Sequence, residues 1–303
     1  MLLVDSSMLT VAYVMVAQAL SGIAKDLNKM SAKTSIKSLV SDDEQNRLYR
    51  WIALLTGSKN ALKGIGFFLG GWLLATVGFQ AAVGTMAALL TMVLLLSLPL
   101  LDPSTGIAKQ RSKFTQLFSK SAAINRLSAA RFFLFGSRDI WFVVALPLFL
   151  QTELNWSYMQ VGSLLAAWII GYGIVQTLAP KITAASGKTA FEWVAAICML
   201  PVLIATGLYL GWNAELLIVT GLLIFGVLFA INSSIHSYLI VSYAREDGAS
   251  LDVGFYYMAN AAGRLVSTLL SGLIYQYYGL AACLTGSSIM LVAAVLISRK
   301  LPR

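Results

Sequence analysis

Nine stretches of this chain are long and apolar enough to fill a lipid bilayer, and that restricts the fold before any other feature does. A spanning helix needs about 20 mainly apolar residues. Hydropathy, broken at Gly, Pro and charged positions, places the candidates at 9–40, 44–77, 79–101, 123–150, 158–179, 190–211, 214–243, 252–277 and 279–298. The chain is 58% hydrophobic and only 12% charged, against roughly 25% charged residues in soluble domains. The expected class is an all-α membrane protein. Its net charge of +9 would suggest nucleic acid in a soluble chain. Here the charge divides between loops and membrane interior, so no nucleic-acid partner is expected. The lipid bilayer is the first partner.

The loops are sharply asymmetric. Those near Asp5, Gly78, Glu153 to Trp156, Trp212 to Glu215 and Gly279 hold no Lys or Arg, whereas the opposite loops hold fourteen, from Lys37 to Arg303. The positive-inside rule makes the basic loops and the C-terminus cytoplasmic. The expected location is the cell inner (plasma) membrane.

A shift of 201 residues lays Lys63 on Arg264, Gly71 on Gly272 and Gly78 on Gly279. A period near 200 residues suits two six-helix halves built from three-helix units. Two halves make twelve spans and nine are present, so three spans, on the order of 100 residues, are expected to precede Met1, with Met1 to Val4 as the tail of the third. The domains read as 1–104, the remaining part of an N-terminal bundle; 105–122, a basic cytoplasmic linker; and 123–303, a C-terminal six-helix bundle.

Fourteen loop cations leave eight of the 22 Lys and Arg residues inside or at the rim of the spans: Lys25, Lys29, Lys33, Lys59, Lys63, Arg131, Arg138 and Arg264. Only Asp26 and Asp139 accompany them at similar depth. A charge at the centre of a membrane helix costs about 2.5–3.5 kcal/mol even on lenient insertion scales, so such residues normally face a cavity and carry function. A cavity of one sign is a route for an anion. At 1.5 Å per residue, Arg138 lies about 18 Å from the extracytoplasmic end of its helix and Lys63 and Arg264 about 21–22 Å. Those three are the cations that depth excuses least. Lys33 sits at the rim, and Lys29 and Arg131 are deep enough to snorkel towards the cytoplasm.

Lys25, Lys29 and Lys33 recur every fourth residue and form one stripe; Lys59 and Lys63 form another. Like charges at that spacing repel, so an anion or water must offset them. Asp26, Asp139 and Arg131 are assigned to charge pairing or coupling, with helix clamping as the alternative role. Asn60 and Asn260 join Lys25, Lys29, Lys59, Lys63, Arg138 and Arg264 as candidate substrate ligands. His236 reads as a packed or interfacial histidine, and Cys198 and Cys283 as small buried hydrophobes. With no catalytic motif in view, the chain is not expected to be an enzyme, and no cofactor or metal is expected.

The runs AQALSGIAKDLNKMSAKTSIKSLV (Ala17 to Val40), LTGSKNALKGIGFFLGG (Leu55 to Gly71) and LSAARFFLFGSRDIWFVVALPLFL (Leu127 to Leu150) resemble the ArsJ-type organoarsenical efflux permeases of the major facilitator superfamily. The resemblance implies a major-facilitator-type helical bundle with nine of an expected twelve spans. It further implies export of 1-arseno-3-phosphoglycerate, an arsenylated and phosphorylated three-carbon acid, and so arsenate resistance. A glyceraldehyde-3-phosphate dehydrogenase that forms this ester from arsenate is the implied functional partner. An organophosphate/phosphate exchanger of the same fold would show the same cations, and a non-transporting truncated fragment is the remaining alternative.

The orientation is testable. A fluorescent protein fused after Arg303 is expected to fold and fluoresce in the cytoplasm, whereas alkaline phosphatase inserted at Asn155 is expected to be active; the reverse pattern overturns the assignment.

Overall fold

Two glycines, Gly78 and Gly279, break the two longest helices at the same point and with the same backbone. Gly78 has φ 75° and ψ 174°, and Gly279 has φ 74° and ψ −173°. That region is essentially closed to residues with a Cβ. The 201-residue repeat therefore recurs in conformation as well as in residue type.

The computed structural model describes residues 11–40, 44–100, 121–186, 189–245 and 248–302. In chain order the helices are α1 (Val11–Leu39), α2 (Gln45–Ser97), α3 (Ala122–Phe142), α4 (Ala145–Thr152), α5 (Tyr158–Ser186), α6 (Ala190–Tyr209), α7 (Ala214–Tyr243) and α8 (Ala249–Ser298). A short 3-10 turn at Leu98–Leu100 follows α2, and no strand occurs among the described residues. The expected linker at 105–122 lies outside them except for its last two residues, and the span tail expected at Met1 to Val4 lies wholly outside them.

Among the described residues, six helices are long and apolar enough to cross a membrane: Thr76–Leu100, Ala122–Thr152, Tyr158–Ala184, Ala190–Tyr209, Ala214–Tyr243 and Ala249–Ser298. The last is folded back on itself at Gly279 and holds two of the nine expected spans. The other two expected spans lie in α1 and in α2 before its bend, and both are helical. They carry Lys25, Asp26, Lys29 and Lys33, and Lys59 and Lys63.

Local chemistry accounts for the remaining breaks. Pro147 has no N–H to give to Val143, and the helix interrupts at Val143 and Val144 before resuming with Pro147 in its first turn, where it is tolerated. Asn213 caps α7 by accepting from the Leu216 N–H at 2.9 Å. Beyond these ends the helices are held by packing. Trp141, Phe225, Phe229, Leu134, Leu146 and Leu284 are fully buried in the core shared by α3 to α8.

Small residues let helices touch. A Cβ on Gly173 would overlap the backbone of Gly57 and Ala61, so α2 and α5 are in backbone contact there. A Cβ on Gly263 would overlap the Phe132 carbonyl of α3. Gly263→Ala is therefore expected to destabilise by about 1–3 kcal/mol, as overpacking does. At Gly272, where a Cβ meets nothing within 4 Å, the same change is expected to be neutral or to gain up to about 1 kcal/mol. Thermal unfolding in detergent compares the two, and equal midpoints would contradict the contact.

Candidate anion site

Helix geometry brings the intramembrane charges to one region. On α3, Arg131 and Arg138 are two turns apart on one face. On α8, Tyr257, Asn260 and Arg264 follow helical spacing on the face towards α3 and α1. The stripe of α1 and the Lys59–Lys63 face of α2 complete the ring. Lys63 is within electrostatic reach of Lys25, Arg138, Asp139 and Arg264. Lys29 is in reach of Asp26, Lys59, Arg131 and Arg264, and Lys33 of Lys29, Lys59 and Arg131. The eight cations form one connected field.

At its centre Asp139 is fully buried and accepts from two arginines. The Arg138 Nε lies 2.6 Å from Asp139 Oδ1 and its terminal nitrogen 2.5 Å from the same oxygen. Arg264 Nε lies 2.6 Å from the other oxygen, Oδ2. The Arg138 side chain is 12% exposed and that of Arg264 47%, so Arg264 is the arm left open. The Arg138 guanidinium also rests on the Phe135 and Phe229 rings, 4.9 and 5.4 Å from their centroids. Cation–π contact of this kind holds a guanidinium without consuming its donors.

A cleft of about 330 Å³ opens beside Arg264, lined by Asp26, Lys29, Tyr257, Asn260, Arg264 and Thr268 among others. That volume is at the lower end of the roughly 300–1,000 Å³ of small-molecule pockets. Lys29 lies 3.8 Å above the Tyr257 ring and 3.9 Å from Asp26, a half-exposed and therefore weak pair.

Beneath the clamp runs a second polar layer. Arg131 Nε donates to Asn260 Oδ1 at 3.1 Å, and its terminal nitrogen donates to Ser233 Oγ at 3.1 Å. Gln176 donates to the same Ser233 hydroxyl at 3.3 Å and to the Tyr172 hydroxyl at 3.2 Å. Its carbonyl accepts from Asn60 Nδ2 at 2.5 Å. This network joins α2, α5, α7, α3 and α8.

Several expectations change. Arg131 does not snorkel; it is 5% exposed, hydrogen-bonded and stacked 3.7 Å above Phe135, because Ser233 and Asn260 supply the acceptors water would have given. Lys33, expected at the rim of its span, is 2% exposed and so enclosed by protein. Asn60 spends its amide bridging α2 to α5, so its place is at a helix contact. Asn260 faces both Arg131 and the cleft. Asp139 neutralises a pair of arginines instead of one. His236 is 1% exposed, hence packed and not interfacial. Lys25, Lys59 and Lys63 do not line the cleft; Lys59 is in electrostatic reach of its Asp26 and Lys63 of its Arg264, and Lys25 and Lys63 are exposed. The aromatic cushions Phe135 and Phe229 were not singled out beforehand, since nothing in their spacing separates them from core. Thr268, one turn beyond Arg264, was detectable by that spacing alone.

The family model described as Major Facilitator Superfamily matches residues 127–303, more than half of the chain. Among solved structures, the chain is similar to a bacterial homologue of the iron transporter ferroportin in its outward-facing state. The TM-score is 0.71 at 16% identity, over 98% of this chain and 75% of that one. None of the curated proteins compared with the chain matches it.

Removing one member of a buried charge cluster typically costs about 3–5 kcal/mol, because the partners lose their counter-ion. Asp139→Asn is expected to lower stability by that amount in detergent unfolding, and Asp139→Glu by less. An unchanged midpoint for the Asn variant would show that the two arginines do not depend on it.

Proposed function

The chain belongs to the major facilitator superfamily, and from that premise, which makes it a multi-pass membrane transporter, we propose that its cargo is a small organic anion carrying a phosphate or arsenate ester. The observation that carries this reading is the arrangement around the cleft: Arg264 held by Asp139 yet half exposed, facing Lys29 of α1 across about 330 Å³. An arginine fork suits bidentate oxyanion binding and a lysine acts as a point charge. A phosphate ester carries about −1.5 to −2 charges near neutral pH, which matches a field of eight cations and two acids.

The specific cargo we propose is 1-arseno-3-phosphoglycerate, the one implied by the resemblance to ArsJ-type permeases. Arg138 and Arg264 of the 123–303 bundle take one end of it. Lys25, Lys29, Lys59 and Lys63 of the 1–104 bundle take the other, with 105–122 as the linker. Bridging the bundles lets cargo favour rocking between inward- and outward-open states. The protein then works in the inner membrane with a cytoplasmic C-terminus, beside a glyceraldehyde-3-phosphate dehydrogenase that makes the ester. The iron named for the ferroportin homologue is not carried over, because a metal cation would meet a repelling field here.

Arsenate-sensitive cells expressing both the protein and the dehydrogenase are expected to gain arsenate resistance, and cells expressing either alone are not. Arg264→Gln removes charge-assisted hydrogen bonds worth about 1.5–3 kcal/mol, so efflux into inverted vesicles is expected to fall at least tenfold at limiting substrate. Phosphate counterflow without resistance would identify the exchanger instead.

A further inference from the structure

Lys33 is 2% exposed, yet its Nζ makes no hydrogen bond or ion pair among the described residues. The Tyr257 ring, 5.4 Å away, is shared with Lys29. Among the described residues, the charges in electrostatic reach of Lys33, those of Lys29, Arg131 and Lys59, are all positive. Enclosing a cation without a counter-charge is costly, and the cost ends when water or an anion reaches it.

What encloses it is a closed end of the bundle. Met30 and Ile36, about one turn either side of Lys33 on α1, pack into an apolar cluster with Leu48 and Ile52 of α2 and Val253 and Tyr256 of α8. Beside that cluster, Gln45 of α2 accepts from the Tyr238 hydroxyl at 2.9 Å and the Ser242 hydroxyl at 3.2 Å, both on α7. Tyr49 lies against Tyr238 with ring centroids 4.9 Å apart. The Gln45 end carries Arg47 and Arg50, so the positive-inside rule places it in the cytoplasm.

We infer that Lys33 makes closure of the cytoplasmic end conditional on cargo: an anion held at Lys29 and Arg264 supplies the negative charge that buried Lys33 lacks. The loaded protein shuts to the cytoplasm, and the empty one reopens to hydrate Lys33. This rests on the anion reading of the cleft and gives it a direction. A ligand shifts such an equilibrium only by its differential interaction with the two states, and Lys33 creates that difference because it is buried in one of them.

Ala53, fully buried on α2 one residue beyond Ile52, gives a small-footprint reporter. Ala53→Cys is introduced with Cys198→Ser, and inside-out vesicles are treated with an impermeant maleimide, with or without 3-phosphoglycerate as probe. With Lys33 present, labelling is expected to be fast when empty and at least about fivefold slower with the probe, the low end of ordinary coupling between sites. Lys33→Met is expected to label slowly in both conditions, and Lys33→Arg to behave as the parent. If Lys33→Met labels and is protected as the parent is, the role of Lys33 is overturned while the anion reading stands. If the parent labels faster than Lys33→Met but neither 3-phosphoglycerate nor inorganic phosphate protects it, the anion reading fails and the sensing role with it.

Discussion

The site depends on one buried carboxylate. Asp139 gives one oxygen to an arginine of its own helix and the other to an arginine of α8, both through Nε. Two guanidiniums from different helices would otherwise repel each other in a medium of low dielectric. With Asp139 between them they are drawn together, their planes are set, and the trio keeps one net positive charge. A guanidinium has five donors, and among the described residues Arg264 hydrogen-bonds only through Nε. The remaining fork is thus oriented before an anion arrives, which lowers the ordering cost of binding.

The layer below does different work with similar residue types. Arg131 is saturated by Asn260 and Ser233 and lies on Phe135, so it offers little to a ligand and much to the packing of α3 against α7 and α8. Through Ser233 the network reaches Gln176, and through Gln176 it reaches Asn60 on α2. The Asn60 bond lies next to the Gly57–Gly173 approach, where α2 and α5 backbones touch. At this point α2 and α5 meet through a tight backbone contact and one short amide hydrogen bond. Such a contact has few side chains to repack when helices move, and a hydrogen-bonded neighbour fixes its register.

The membrane class, the helix limits and the bends at Gly78 and Gly279 were legible because hydropathy and glycine report backbone requirements directly. The gathering of the eight cations was legible from depth and helical spacing, since a charge inside a span has few other places to go. Which cation would be spent was not. Arg131 and Arg138 share a face of α3, and only their partners, Ser233 and Asn260 for one and Asp139 for the other, separate an arginine held by neutral acceptors from one clamped by a carboxylate. Those partners lie about a hundred or more residues away in sequence for Arg131, and no local pattern announces them. The burial of Lys33 was hidden for a related reason: depth along α1 says where a residue stands in its span, whereas enclosure depends on the other helices packed against it, here with Leu48, Ile52 and Tyr256 in the neighbouring cluster.

The repeat shows where the two halves part company. Lys63 and Arg264 stand the same distance before the bends at Gly78 and Gly279, and both lie within reach of Asp139. Equivalent backbone positions thus present a point charge from one side of the cleft and a planar fork from the other. Arg264 is fixed by the carboxylate, whereas Lys63 sits on an exposed face of α2. A symmetric pair of clamped arginines would hold an oxyanion rigidly at both ends and resist its release. In the proposed reading, the fork set by Asp139 orients one end of an anion, and the Lys63 point charge on α2 attracts the other. In the proposed transport cycle that asymmetry lets one bundle keep hold of the cargo while the other changes its distance from it.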